Sequence, residues 1–274
     1  MSLNTAIIDT LRYSHQFKYP LTSYEVYNYL IYPKKTSFDI VNKHLASLTK
    51  KKKIVKIKDY YMLKRSPTWV YNRETSQVKV KKIIAKAEKD LKFLGKLFFI
   101  KYIGITGSVA ANNPSLYYDV DLFFIMQKNF LWIGRFFVWL YLKIKKIYRL
   151  PYCPNIYISQ DFLKWENENV YIANEIVRMK TLINKESHYE LFLFNNMWVL
   201  NYLPNFKIFK FKNTSCKSFS IISLLFLPIE YMFYSIQYLY MRSKITTEVV
   251  TLKRILFFKN DYSVKILNNF YQTT

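Results

Sequence analysis

Only four glycines occur in the 274 residues, and two of them, Gly104 and Gly107, stand three apart at the end of an apolar run, Phe98 to Ile105. Glycine-rich dinucleotide loops and Walker-type phosphate loops need several glycines within one turn, so neither can be the basis of this fold. The run reads instead as a buried strand that breaks at Thr106-Gly107-Ser108, where a glycine lets the backbone turn sharply. A short helix and loop through Val109-Ala110-Ala111-Asn112-Asn113-Pro114 follow, and then Tyr118-Asp119-Val120-Asp121-Leu122-Phe123-Phe124-Ile125, an apolar strand that opens with Asp-x-Asp.

Strand alternation puts Asp119 and Asp121 on one face, about 7 Å apart along the chain, with Val120 turned away. Two carboxylates so placed suit Mg²⁺, a hard cation that prefers oxygen ligands and shares them with substrate phosphates. Gly107 allows close approach of the backbone to a triphosphate, and the Ser108 hydroxyl and amide can bind a phosphate where a helix starts.

The rest of the chain gives this segment a setting. Lys+Arg number 42 against 18 Asp+Glu, for a formal charge of +24, and residues 50–101 hold 17 of the basic and 4 of the acidic residues. Such an excess favours phosphate-rich partners, nucleic acid or nucleotide. A hydrophobic content of 51% supports packed cores and excludes disorder as the main state. Two cysteines, Cys153 and Cys216, with three scattered histidines, offer neither a disulfide framework nor a four-ligand zinc site. The N-terminal residues lack the pattern of a secretory signal, so the expected setting is cytoplasmic.

Residues 1–65 read as three helices and a hairpin. Leu3, Ile7, Ile8 and Leu11 mark the first helix. Thr22 or Ser23 caps a second with Val26, Leu30 and Ile31 inward, and Ser37 caps a third with Ile40, Val41, Leu45 and Leu48. Ile54–Ile57 and Tyr60–Leu63 flank the turn pair Lys58-Asp59. This is the layout of a winged helix, and Lys50, Lys51, Lys52 and Lys53 lie where a DNA-reading version makes phosphate contacts. A docking module is the other use of such a unit. Residues 66–96 read as a linker that becomes a basic helix with a stripe of Val80, Ile83, Ile84, Ala87, Leu91 and Leu94.

The apolar strand, Gly107-Ser108, ten intervening residues and Asp119-Val120-Asp121 together resemble the signature of the nucleotidyltransferase superfamily that includes DNA polymerase beta and the CCA-adding enzymes. The resemblance implies an α+β chain: a winged helix over 1–65, a basic linker helix over 66–96, a small mixed-sheet nucleotidyltransferase core over 97–162 and a helical C-terminal region over 163–274. It also implies Mg²⁺-dependent transfer of a nucleotide from an NTP to an acceptor hydroxyl, with Asp119 and Asp121 as metal ligands and Gly107 and Ser108 on the nucleotide. Where well-studied members carry a third carboxylate on a following strand, this chain has Asn155, in Cys153-Pro154-Asn155-Ile156. Three readings are open: Asn155 orients substrate in an enzyme with two acidic ligands, Asp161 replaces the missing acid, or activity is lost and the chain is a nucleic-acid-binding regulator.

Further on, residues 129–147 read as an apolar helix with a basic end. The 23 apolar residues 219–241 read as a buried or partner-facing helix, because Pro228, Glu230 and Gln237 oppose a membrane span. Peripheral membrane contact, including an enzyme working on a lipid or glycan precursor at the membrane surface, is the alternative. Helices are expected over 167–180, 190–203, 246–258 and from Asp261, and His188 and Glu190 as surface or helix-start residues.

Overall fold

The structure, a computed structural model, describes residues 1–114, 119–208, 221–257 and 261–272. It opens with α1 (Leu3–His15), β1 (Leu21–Thr22), α2 (Ser23–Asn28), α3 (Phe38–Lys50), β2 (Val55–Ile57) and β3 (Tyr60–Met62). The expected caps are in place: Ser37 Oγ accepts from the Ile40 amide, and Thr22 and Glu25 bond reciprocally as a capping box. β3 pairs antiparallel with β2 and also with β1, a partner the hairpin pattern did not reveal. Ile7, Leu21, Val26, Leu30, Val41 and Leu45 fill the core between helices and sheet. Ile40, expected inward, is 45% exposed, because α3 buries only the narrower stripe Val41, Leu45 and Leu48. Lys50, Lys51, Lys52 and Lys53 are all exposed at the turn after α3.

α4 (Pro67–Leu91) connects the two sheets. Its first turns pack Val70 on Tyr60 and Met62, and the expected stripe of Val80, Ile83, Ala87 and Leu91 packs on the larger sheet. Arg73 ties it to the first region by an ion pair with Glu25 at 2.6 Å.

The larger sheet is built from β4 (Ile100–Thr106), β5 (Val120–Met126), β6 (Tyr152–Ser159), β7 (Lys180–Asn184), β8 (Val249–Val250) and β9 (Arg254–Leu256), in the order β7-β4-β5-β6-β9-β8. β5 and β6 run parallel and every other pair is antiparallel, so the chain is α+β with a mixed sheet. Between these strands lie α5 (Gly107–Ala110), α6 (Leu131–Ile144), α7 (Val170–Arg178), α8 (His188–Asn195), α9 (Val199–Tyr202), α10 (Ile221–Leu225), α11 (Leu227–Met241) and, last, α12 (Asp261–Gln272). Alternation divides the strands cleanly. Ile103, Phe124 and Tyr157 face α4 and α6, while Tyr102, Phe123 and Ile158 face α7 and α8.

Five expectations need correction. The helix expected over 246–258 is instead β8, a turn and β9, because Ile255 and Leu256 are buried at the sheet edge beside β6. With β7, these strands bring part of residues 163–274 into the sheet, so that region is not wholly helical. The run 219–241 is two helices, broken at Phe226 with Pro228 in the first turn of α11, and its residues 219 and 220 lie outside those described. The helix expected over 190–203 is also two short ones, since buried Asn196 spends its side chain on the Trp165 amide and the Leu163 carbonyl. His188 is not on the surface: it starts α8 but is buried, bonded to the Lys185 carbonyl and to Gln160.

Glu230, the residue that argued against a membrane span, has a structural task. Its carboxylate accepts the Trp132 and Ile133 amides at 2.7 and 3.0 Å and so caps α6, which has no side-chain cap of its own. Burial holds this carboxyl above the usual range. Glu230→Ala strands two buried amides and is expected to cost about 2 kcal/mol in a urea melt, with Glu230→Gln, which keeps one oxygen, costing less. An alanine variant that melts with the wild type would show that α6 does not depend on this cap.

Candidate active site

β4 ends at Thr106, and Gly107, at φ +65°, turns the chain directly into α5. Two constraints act on this glycine. Its backbone conformation is strained for any other residue, and a Cβ there would collide with Asp121 Oδ2. Ser108 follows, partly buried, and its carbonyl accepts the Asn113 amide at 2.8 Å to close the turn. The Asn112 side chain accepts from Lys180 at the start of β7, and burial lowers that ammonium to about 8.

Asp121 stands opposite Thr106 on β5 and beside Cys153 on β6. Asp119 precedes the strand and is exposed. It has the same parity as Asp121, Phe123 and Ile125, so both acids belong to the sheet face that α7 covers. Ligand atoms of Asp119, Asp121 and Cys153 lie within 4.8 Å of one another, the one such grouping among the described residues. Burial, then the nearby charges of Asp119 and Glu175, push Asp121 up to about 7.

The role of β6 comes from an irregularity. Cys153 pairs with Asp121 and Pro154 with Leu122, but Ile156 pairs with Phe123, so β6 carries one extra residue, Asn155. A bulge of this kind reverses parity. With Ile156 and Ile158 on the α7 face, simple alternation would send Cys153 to the other side; the bulge returns it to the acids. Asn155 Nδ2 then donates to Asp121 Oδ1, and its own Oδ1 accepts from the Cys153 thiol at 3.1 Å. Burial and the two aspartates push this thiol up to about 11, so it is a proton donor here and a poor ligand for a hard cation.

Two members of the site were not anticipated. One is Cys153, expected on the strand beside Asn155 but given no role there. The other is Glu175, the single acid of α7, which accepts the Gly107 amide and is held above the usual carboxylate range by burial. Its position on an otherwise apolar helix face was the available signal. A cavity of about 250 Å³ opens beside these groups, lined by Gly107, Asp121, Asn155 and Glu175 together with Trp165 and Tyr171.

Other expected residues stand apart. Asp161 lies two residues beyond the far end of β6, about 20 Å along the chain from Asn155. There it accepts from Ser159 and pairs with Lys253 at 2.9 Å. Burial raises its pKa, but these bonds outweigh burial and leave it below the usual range. It does not replace the missing acid. Lys50, Lys51, Lys52 and Lys53 line neither the acidic group nor the cavity.

The donor set fits a hard divalent cation. Two carboxylates converge, with Glu175 near enough to raise Asp121 further, and the side chains facing Asp121 include no cation that neutralises it. No protein-family model matches the chain, and no curated protein or solved structure matches it significantly. Gly107→Ala adds a strained φ and a collision with Asp121; a loss of at least about 1–2 kcal/mol in a thermal or urea melt is expected. An unchanged melt would mean that the turn and β5 are not locked together.

Proposed function

We propose that the chain is a metal-dependent nucleotidyltransferase, and that its N-terminal unit of three helices and a small sheet is a winged helix. The observation that carries the catalytic reading is the meeting of Asp119 and Asp121 beside Gly107 at one end of a mixed sheet, with Gly107 and Asp121 lining a cavity.

In this reading Asp119 and Asp121 hold Mg²⁺, which supplies charge neutralisation to a triphosphate. Gly107 leaves the backbone open to the phosphates, and Ser108 holds the β- or γ-phosphate. Asn155 fixes the Asp121 carboxylate by donating to one of its oxygens, which leaves the other free, and Cys153 in turn fixes Asn155. The acceptor hydroxyl attacks the α-phosphorus; an O–P bond forms, the bond to the β-phosphate bridge breaks, and pyrophosphate leaves. Asn155 cannot take the hydroxyl proton. Asp121 and Glu175 face the cavity with carboxyls above the usual range, so a base is within the site. The exposed Lys50–Lys53 turn is the proposed contact for nucleic acid, at a distance from the chemistry.

A regulator that binds nucleotide without turnover is the second reading, favoured by one observation: an amide occupies the third position and spends its donor on Asp121. The two part in one experiment. Incubation with α-labelled NTPs, Mg²⁺ and cell extract should give labelled product, lost to background when Asp119→Ala and Asp121→Ala are combined. Label transfer by the double variant equal to wild type would end the catalytic assignment. Nucleotide-dependent stabilisation of a wild type that transfers nothing would select the regulator.

A further inference from the structure

α11 lies on α6 by one face only. Phe233 meets Phe136 at 5.2 Å, Tyr234 meets Trp132 at 5.0 Å, and Gln237 donates to the Trp132 carbonyl at 3.0 Å. The opposite face is bare. Leu225, Ile229, Met232, Ile236 and Leu239, at alternating spacings of four and three, are 40–70% exposed. This is one continuous apolar stripe over α10 and α11. Glu230, the single charged residue in 219–241, is buried beneath α6, so the stripe contains no charge. Phe136, which meets Phe233 on the packed face of α11, also meets Phe137 and Trp139, both exposed on α6.

Basic residues follow both helices in the chain. Lys143, Lys145, Lys146 and Arg149 end α6 and its following turn, and Arg242 and Lys244 follow α11; all are exposed. Lys244 Nζ lies 4.4 Å over the ring of Tyr240, at the end of the stripe. Residues 122–160 hold no Asp or Glu, and residues 191–247 hold Glu230 alone.

We infer that this face seats the protein on an anionic lipid surface, with α11 lying in the interface. An exposed apolar stripe, exposed aromatic rings on the helix it packs against and exposed cations after both helices match what a bilayer of anionic lipid offers: an acyl layer beneath negative headgroups. α11 does not cross. At 15 residues it is about 22 Å long, short of the roughly 30 Å hydrocarbon core, and no helix among the described residues is long and apolar enough to span a membrane. A second copy is the poorer occupant, because pairing this face with itself would bring the same cations together. The inference holds whatever reaction the acidic site performs.

Sedimentation of the full chain with phosphatidylcholine vesicles, with and without phosphatidylglycerol, tests it. The protein should pellet with the anionic vesicles, remain in solution with the neutral ones, and be released by high salt. Joint Met232→Asp and Ile236→Asp, both at exposed sites, should abolish pelleting. Joint Lys143→Gln, Lys145→Gln and Lys146→Gln should lower the partition coefficient on the order of a hundredfold, about fivefold per charge. Three results would overturn the inference: no pelleting with anionic vesicles; pelleting that ignores both variants and is lost when Lys50–Lys53 are neutralised; or a lipid-free dimer that Ile236→Asp dissociates, which would assign the face to self-association.

Discussion

The contact on which the site depends is the one between Gly107 and Asp121. A missing Cβ lets a carboxylate oxygen lie against the turn that ends β4, and the left-handed backbone at that residue directs α5 away from the sheet. Everything else in the site takes its place from this contact. Thr106 sets the register of Asp121, Glu175 bonds the amide of the same glycine, and the cavity opens between them. With only four glycines in the chain, other left-handed positions are filled at some conformational cost by Lys18, Lys52, Lys58 and similar residues. At Gly107 space closes that option, because a Cβ would collide with Asp121 Oδ2.

Electrostatically the site is an exception to the molecule around it. A chain with 42 basic residues gathers Asp119, Asp121 and Glu175 at one sheet end; Arg178 offsets part of the charge on Glu175, but the groups that shift Asp121 are burial and two further acids. The nearest polar partners are neutral: Asn155 donates to Asp121, and the Cys153 thiol donates to Asn155. A carboxylate pair maintained in this way is unfavourable by itself and becomes favourable once a cation is bound, which supports the proposed metal site.

Some of this was legible in the residues. The strand, the glycine turn and the shared parity of Asp119 and Asp121 follow from local periodicity, and the caps Thr22 and Ser37 from side-chain chemistry at helix starts. The helix expected over 246–258 shows where such reading stops. Its apolar residues suited either period, and burial at the open edge of β6 decided for strands. Glu230 likewise marked a run that could not span a membrane, but its use as a cap for a helix about a hundred positions away was not written in its neighbourhood.

The amino-acid sequence by itself determined that two acids would leave one strand on the same side, close behind a glycine-serine turn, because strand alternation and glycine's freedom are local properties of the backbone. Only the tertiary structure decided what meets them. The extra residue in β6 reverses the parity of that strand and turns Cys153 and Asn155 toward Asp121, and the docking of α7 brings Glu175 to the Gly107 amide. Both depend on the register between segments far apart in the chain, which pairing and packing select and no local pattern encodes.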